Sequence, residues 1–221
     1  NASWRPNSLF SGSPGVTDPP ALTFAPILVN EVLTHTDLPD VDAIELWNPT
    51  PNPVDVGNWL LTDDYDTPAK YRIPAPTIIP AGGYRVFTES DFNSNPGTFP
   101  SFSFSSQGEE AYLFSGDSSG NPNGYFHGFK FGAALTGVSF GRYTNGVSQG
   151  TNVDIHIVAQ SSNTFGFPNA LPKVGPVVIS ELMYNPALGG DEFIELKNIT
   201  SGAVKLYDPL NPQNTWKVEG I

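Results

Sequence analysis

PILVNEVLTHTDLPDVDAIELWNPT (residues 26–50) returns, 150 positions later, as PVVISELMYNPALGGDEFIELKNIT (residues 176–200). Apolar and polar residues alternate in both stretches, which is typical of β-strands because successive side chains point to opposite faces. The offset stays constant without a gap, so we interpret the two stretches as copies of one folding unit. A period of about 150 residues has the size of a whole domain and is too long for a solenoid repeat.

The residues between the two copies continue in short runs separated by Pro, Gly, Asn and Asp. SFSFS (101–105) places its phenylalanines on one face and its serines on the other, and GYFHGFKF (124–131) and NVDIHIVA (152–159) alternate in the same way. No stretch of ten residues shows the 3.6-residue spacing of apolar side chains that is typical of a helix. About nine short strands of this kind predict an all-β protein that folds as a two-sheet sandwich.

The repeat and the composition together predict the domain organisation. Residues 1–25 contain SGSPG and DPP with little periodic apolar content, and we interpret them as a linker or the end of a preceding module. Residues 26–172 are predicted to form the sandwich domain. Residues 173–221 are predicted to form the first part of a second such domain.

Charge and composition exclude several classes of function. The chain has 22 acidic and 10 basic residues and a net charge of −12, so it has no cluster of Lys and Arg for binding nucleic acid. No apolar run approaches the ~18 residues of a membrane span. The chain has no cysteine, which excludes disulfides and thiolate chemistry. Because it begins at Asn1 without a signal peptide, we expect it to be a piece of a longer protein.

Four motifs connect the chain to a known family. VDVGNWLLTDD (54–64), YRIPAPTIIPAGGY (71–84), GEEAYLF (108–114) and GVSFGRY (137–143) resemble the lamin tail domain, specifically its bacterial secreted branch. The resemblance covers one full copy over residues 27–169 and the start of a second over 176–221. It implies an immunoglobulin-like β-sandwich without the disulfide, in an accessory module of a large secreted or cell-surface protein.

One motif could indicate catalysis. Residues 137–141 fit the G-x-S-x-G pattern of a nucleophile elbow around Ser139, and Asp154 and His156 follow in the order used by hydrolases of that type. The elbow requires a strand followed by a helix, but RYTNGVSQGTN after it has two Gly and two Asn and is a poor helix former. We therefore interpret Ser139 as part of an ordinary strand, and the protein as a non-enzyme.

A pair of carboxylates recurs in both copies. Glu31 and Glu45 match Glu181 and Glu195 with the same spacing of 14 residues, in consecutive strands that should pair. Two facing carboxylates could share a cation or act as acid and base. The alternatives are that they face water, or accept hydrogen bonds from a backbone amide or an arginine.

Oxygen-rich loops make calcium a possible ligand. Asp37, Asp40 and Asp42 form the preferred candidate site, because calcium requires six to eight oxygen ligands from carboxylates, carbonyls and water. Two further loops, one with Asp63, Asp64 and Asp66 and one with Asp117, Asn121 and Asn123, have similar composition. The alternative is that all three are turns stabilised by side-chain to backbone hydrogen bonds.

The tryptophans leave two interpretations open. Trp47, Trp59 and Trp216 lie in or beside strand runs, where large aromatic residues usually fill the core, whereas a row of exposed ones would form a carbohydrate platform.

The sequence predicts a non-catalytic structural, adhesive or assembly module of a large exported protein. The alternative is a module that binds carbohydrate or calcium and serves an enzyme elsewhere in the parent protein. Since the second copy is incomplete, we expect its open strand edges (residues 177–218) to be covered by another chain, by self-assembly, or by polypeptide not included in this sequence.

Overall fold

The computed structural model describes residues 14–17, 23–149 and 152–218. Contacts between Cα atoms divide the chain into two compact units, residues 1–173 (the first unit) and residues 174–221 (the second unit). The strands are β1 Leu28–Leu33, β2 Ala43–Trp47, β3 Val54–Asp55, β4 Leu60–Thr62, β5 Tyr71–Arg72, β6 Ile78–Ile79, β7 Tyr84–Thr88, β8 Glu109–Gly116, β9 Pro122–Phe131, β10 Phe140–Gln149, β11 Asn152–Ala159, β12 Val177–Met183 and β13 Phe193–Asn198. The described helices are a 3-10 turn, Pro68–Lys70, and a short helix α1, Glu89–Phe92.

Two antiparallel sheets enclose the core of the first unit. One has five strands in the order β11-β10-β1-β2-β7, and the other has four in the order β5-β4-β8-β9. Both sheets contribute fully buried side chains to a single apolar cluster, among them Val32, Ile44 and Leu46 from the first sheet and Leu61 and Leu113 from the second. The prediction of an all-β, immunoglobulin-like sandwich is confirmed.

A β-bulge in β1 determines which side chains face this core. The ladder pairs Val29 with Leu46 and then Glu31 with Glu45, so Asn30 is an extra residue with no opposite partner. Val29 and Val32 consequently both point inward and are fully buried, although three positions separate them. Glu31 points to the outer face of the sheet, beside Glu45.

Two of the predicted strands are present, and one is wrong. NVDIHIVA coincides with β11, and GYFHGFKF lies within β9. SFSFS belongs to no strand in the structure, although its alternation is real, since Phe102 and Phe104 are buried. Its aromatic rings pack against Phe92, with the Phe92 and Phe102 ring centroids 4.5 Å apart. The Ser105 N–H donates to the Glu109 carboxylate rather than to a neighbouring strand.

The strand pair of the second unit has the same register as β1 and β2. β12 and β13 pair antiparallel, Glu181 lies opposite Glu195, and a bulge follows Ile179 as one follows Val29. The residues equivalent to the buried core of the first unit are exposed here: Ile179 by 62%, Leu182 by 55% and Leu196 by 44%. The second unit therefore has the strand pair of a sandwich without a covered inner face in the described residues.

No helix in the described part of the chain is both long and apolar enough to cross a membrane.

Candidate functional site

The two glutamates of the first unit lie side by side on the outer face of the five-stranded sheet. Glu31 on β1 is directly opposite Glu45 on β2, and both side chains are completely buried. The prediction that these carboxylates face each other is confirmed, and they do not face water. They are covered by residues 160–171, which follow β11 and are here named the closing segment.

Glu31 accepts three short hydrogen bonds. The Ser139 hydroxyl donates to Oε1 at 2.6 Å, the Thr164 N–H donates to the same oxygen at 2.9 Å, and the Thr164 hydroxyl donates to Oε2 at 2.7 Å. Hydrogen bonds to a carboxylate are stronger than those between neutral groups. Glu31 thus connects β1 to the start of β10 and to the closing segment.

Glu45 completes the attachment of the closing segment. The Gly166 N–H donates to Oε2, and the Asn30 side-chain amide donates to Oε1 at 2.8 Å. Asn30 also donates to Asn169 Oδ1 at 2.7 Å, and Asn169 in turn donates to the Arg142 carbonyl at 2.9 Å. The extra residue of the bulge therefore links the two strands to the closing segment.

Gly141 permits the closing segment to approach the sheet. A Cβ atom at this position would lie 2.4 Å from Gln160 Nε2 and 2.8 Å from Asn169 Nδ2, closer than non-bonded atoms can pack. Gln160 is buried and bonded on both sides, since it donates to Ser139 Oγ and its Oε1 accepts from the Ala170 N–H at 2.7 Å. The space over Gly141 is therefore part of the site.

The hydrogen bonds of Glu31 and Glu45 attach the closing segment to the sheet. The carboxylate oxygens are buried and already accept hydrogen bonds from the protein, so they form a clasp that holds the closing segment on the sheet. Of the interpretations left open by the sequence, hydrogen bonding to backbone amides describes the pair. The participation of Ser139, Thr164 and Gly166 was not predicted. Ser139 was singled out only as the centre of the G-x-S-x-G motif, and nothing in the spacing of Thr164 and Gly166 distinguishes them from other turn residues.

Protonation of Glu45 connects the clasp to pH. Burial, and to a lesser degree the neighbouring Glu31, raises the pKa of Glu45 to about 7 from its usual 4.5, against the opposing effect of the Gly166 and Asn30 hydrogen bonds. Between pH 4.5 and about pH 7, Glu45 is protonated in the folded protein and has lost its proton in the unfolded chain. The stability from this proton is fully present below pH 4.5 and is lost as the pH rises through about 7.

We expect Glu45→Gln to remove this dependence. The free energy of unfolding of the wild type, minus that of the variant, should fall by about 3 kcal/mol between pH 4 and pH 8, as measured by urea unfolding at each pH. The difference between the two proteins is used because His127 also titrates. Burial lowers the pKa of His127 to about 4, so its contribution to stability rises with pH, and this contribution is common to both proteins and cancels. A difference that stays constant with pH would contradict the assignment.

The structure gives Ser139 a role other than that of a nucleophile elbow. A strand, β10, follows it rather than a helix, and its hydroxyl donates to the buried Glu31. His156 lies on β11 opposite Tyr143. Asp154 lies on the same strand, and its side chain is outside the described part of the structure.

The predicted calcium ligands lie in one loop between β1 and β2. Asp37 and Asp40 are exposed, and the Asp40 N–H donates to the Asp37 carbonyl at 3.0 Å. Asp42 is buried and accepts from the Thr36 hydroxyl at 2.9 Å, and burial raises its pKa. Among the described residues, no three or more His, Asp or Glu side chains are grouped closely enough to hold a metal ion. Calcium binding by Asp37, Asp40 and Asp42 stays a prediction.

The other two oxygen-rich loops contain turns stabilised by their own side chains. Asp63 forms an ion pair with Lys70 at 2.6 Å, and Asp64 accepts from the Asp66 N–H at 3.0 Å. Asp117 accepts from the N–H groups of Ser119 and Asn121. The contacts of Asp64 and Asp117 are the side-chain to backbone bonds of Asx turns.

A groove of about 690 Å³ lies beside the clasp in the first unit. Its lining includes Trp47 and Tyr84, whose rings stack with centroids 6.3 Å apart and planes inclined by 17°. The closing segment forms another part of the lining through Asn169 and Leu171. Of the tryptophans predicted to be core residues, Trp59 is buried, Trp47 is half-buried in this groove, and Trp216 is 51% exposed.

Comparison with known families supports the assignment of the sandwich. Residues 20–125 match the model of the Lamin Tail Domain family. The lamin tail domain is a non-catalytic, immunoglobulin-like family, in agreement with the two sheets described above. The lamin tail match includes β1 to β8 and the beginning of β9, and therefore both glutamates of the clasp. Searches of curated proteins and of solved structures found no match.

Proposed function

We propose that this chain is a non-catalytic assembly module of a large exported protein, built from lamin-tail-like sandwiches of the bacterial secreted type. In this proposal the first unit is a complete domain, and residues 173–221 begin a second copy that associates with other polypeptide. The proposed location is secreted or on the cell surface.

The observation that carries this proposal is the difference between two equivalent strand pairs. Val32 and Leu46 are fully buried in the first unit, whereas Leu182, the equivalent of Val32, is 55% exposed in the second. An exposed apolar face on a two-stranded sheet with open edges is a surface on which another strand or sheet can pack. The excess of acidic over basic residues favours protein partners over nucleic acid.

Sedimentation velocity tests the proposal. We expect the chain to self-associate with rising concentration, and the double variant Leu182→Lys/Leu196→Lys to remain monomeric, because charges on the apolar face cannot be buried in an interface. Ile78→Lys is the matched control, since Ile78 is a 60% exposed apolar residue of the first unit. A monomeric wild type with slow amide exchange over residues 177–198 would contradict the proposal.

A second candidate function is that of a ligand-binding accessory module. The groove with the stacked Trp47 and Tyr84 favours carbohydrate as the ligand, because aromatic rings can pack against the apolar faces of sugar rings. Calcium at Asp37, Asp40 and Asp42 is the other form of this candidate. Retardation by immobilised polysaccharides in affinity electrophoresis, lost in Trp47→Ala, would support it. Calorimetric titration with Ca²⁺ tests the metal separately.

A further inference from the structure

The closing segment has no titratable side chain of its own. Its sequence, QSSNTFGFPNAL (residues 160–171), contains no Lys, Arg, His, Asp, Glu or Tyr. Two of its backbone N–H groups, those of Thr164 and Gly166, donate to the carboxylates of Glu31 and Glu45. The segment therefore covers two buried acidic groups without supplying a cation to either of them.

The strands beside Glu45 supply no cation either. The titratable groups that face it are Glu31 on β1, directly opposite, and Tyr84 on β7, whose pKa is raised by burial and then by the charge of Glu45. Among the described residues, every ion pair involves a carboxylate other than these two. Two carboxylates enclosed together cannot both be ionised at little cost, because each loses its water and repels the other.

Lifting the closing segment would return Glu45 to water. Under the segment, burial and to a lesser degree Glu31 raise the pKa of Glu45 to about 7, whereas a hydrated carboxyl group titrates near the usual 4.5. The covered state therefore binds this proton more tightly than an uncovered state does. Its advantage is fully present below pH 4.5 and is lost as the pH rises through about 7.

The closing segment is also one wall of the groove beside the clasp. Asn169 and Leu171 line this groove together with Trp47. Asn169 is linked to the clasp through Asn30, which donates to both Glu45 and Asn169. Opening of the clasp therefore changes the shape of the groove.

We propose that the closing segment is a proton-controlled flap on the five-stranded sheet, which stays closed while Glu45 is protonated and opens more readily once both glutamates are ionised. In the open state residues 168–171 leave the groove, and a ligand held between them and Trp47 is released as the pH rises. The opening depends on the clasp alone. Only the release of a ligand rests on the proposed ligand-binding function.

Amide hydrogen exchange of the whole chain tests the flap. The N–H groups of Thr164, Gly166 and Ala170 report on it, because each donates to a side chain of the site. We expect their protection factors, which correct for the chemical exchange rate, to fall about thirtyfold between pH 5.5 and pH 8. Low concentrations of urea should leave this exchange unchanged, because the opening exposes little surface, whereas exchange in the core at Leu46 should rise with urea.

Two variants separate the proton from the other contacts of the clasp. Glu45→Gln cannot ionise, so its closing segment should show protection factors that do not change with pH. Thr164→Val removes one hydroxyl donor to Glu31 and keeps the N–H, so opening should increase about tenfold at every pH. The inference is overturned by pH-independent protection in the wild type, by an unchanged pH dependence in Glu45→Gln, or by exchange that follows the urea dependence of the core.

Affinity electrophoresis at pH 5.5 and pH 8 tests the release of a ligand separately. We expect a polysaccharide that retards the chain at pH 5.5 to retard it less at pH 8, and equally at both pH values in Glu45→Gln. Equal retardation of the wild type at both pH values would overturn the coupling of the flap to the groove. If the segment opens as expected and no polysaccharide retards the chain at either pH, the ligand-binding function is wrong and the flap stands.

Discussion

Glu31→Ala is expected to lower the free energy of unfolding of the first unit by about 3–5 kcal/mol. The change leaves the Ser139 hydroxyl and both donors of Thr164 without their acceptor in a buried site. Each such buried donor costs about 1–3 kcal/mol, and entry of water recovers part of the total. Urea unfolding followed by tryptophan fluorescence measures the loss, since Trp59 lies in the core of this unit.

The glutamate at the equivalent position of the second unit supplies the control for this experiment. Glu181→Ala removes the equivalent carboxylate from a position that is exposed, so the expected loss is below about 0.5 kcal/mol. Similar losses in the two variants would mean that the contacts of the closing segment contribute little. The clasp would then form as a result of folding without stabilising the first unit.

Leu46→Ala is expected to cost about 2–5 kcal/mol, because Leu46 has no exposed surface and its removal opens a cavity between the two sheets. The same urea titration measures it. The large cost follows from the density of the core, where neighbouring side chains cannot fill the space without moving the strands.

Leu196→Ala is the matched control, since Leu196 occupies the same place in the repeat and is 44% exposed. Its expected cost is below about 1 kcal/mol, because much of the side chain contacts water before the substitution. Equal effects at the two positions would show that Leu196 is buried in solution, which is the result expected if a partner covers the second unit. Dilution distinguishes that case, because a partner-dependent cost decreases as the assembly dissociates.

Alternation predicts the layers of this fold well, because the period of two is a direct consequence of strand geometry. The bounds of Asn152–Ala159 follow from it, and the repeated spacing predicts the face-to-face arrangement of Glu31 and Glu45. The failure at SFSFS has a physical reason. Alternation reports which side chains are buried, and a segment can bury Phe102 and Phe104 without sharing backbone hydrogen bonds with a neighbour.

The clasp could be predicted only in part. The carboxylate pair is visible because it occurs twice at the same spacing. Its partners are not, because Thr164 is 133 positions from Glu31 and offers a backbone N–H, which every residue except proline has. Gln160 and Asn169 show no periodicity that distinguishes them from other polar residues of a loop. Their positions depend on the fold of the whole first unit.

The bulge in β1 has a consequence for how the length of this strand can vary. Because Asn30 is the one residue without an opposite partner, its deletion would leave Val29, Glu31 and Val32 in a regular ladder opposite Leu46, Glu45 and Ile44. Each of the three side chains would keep its face, and the loss would be the amide that links the two strands to the closing segment. The bulge can therefore absorb the loss of one residue from β1 without changing which side chains face the core, and the bulge of β12 has the same property.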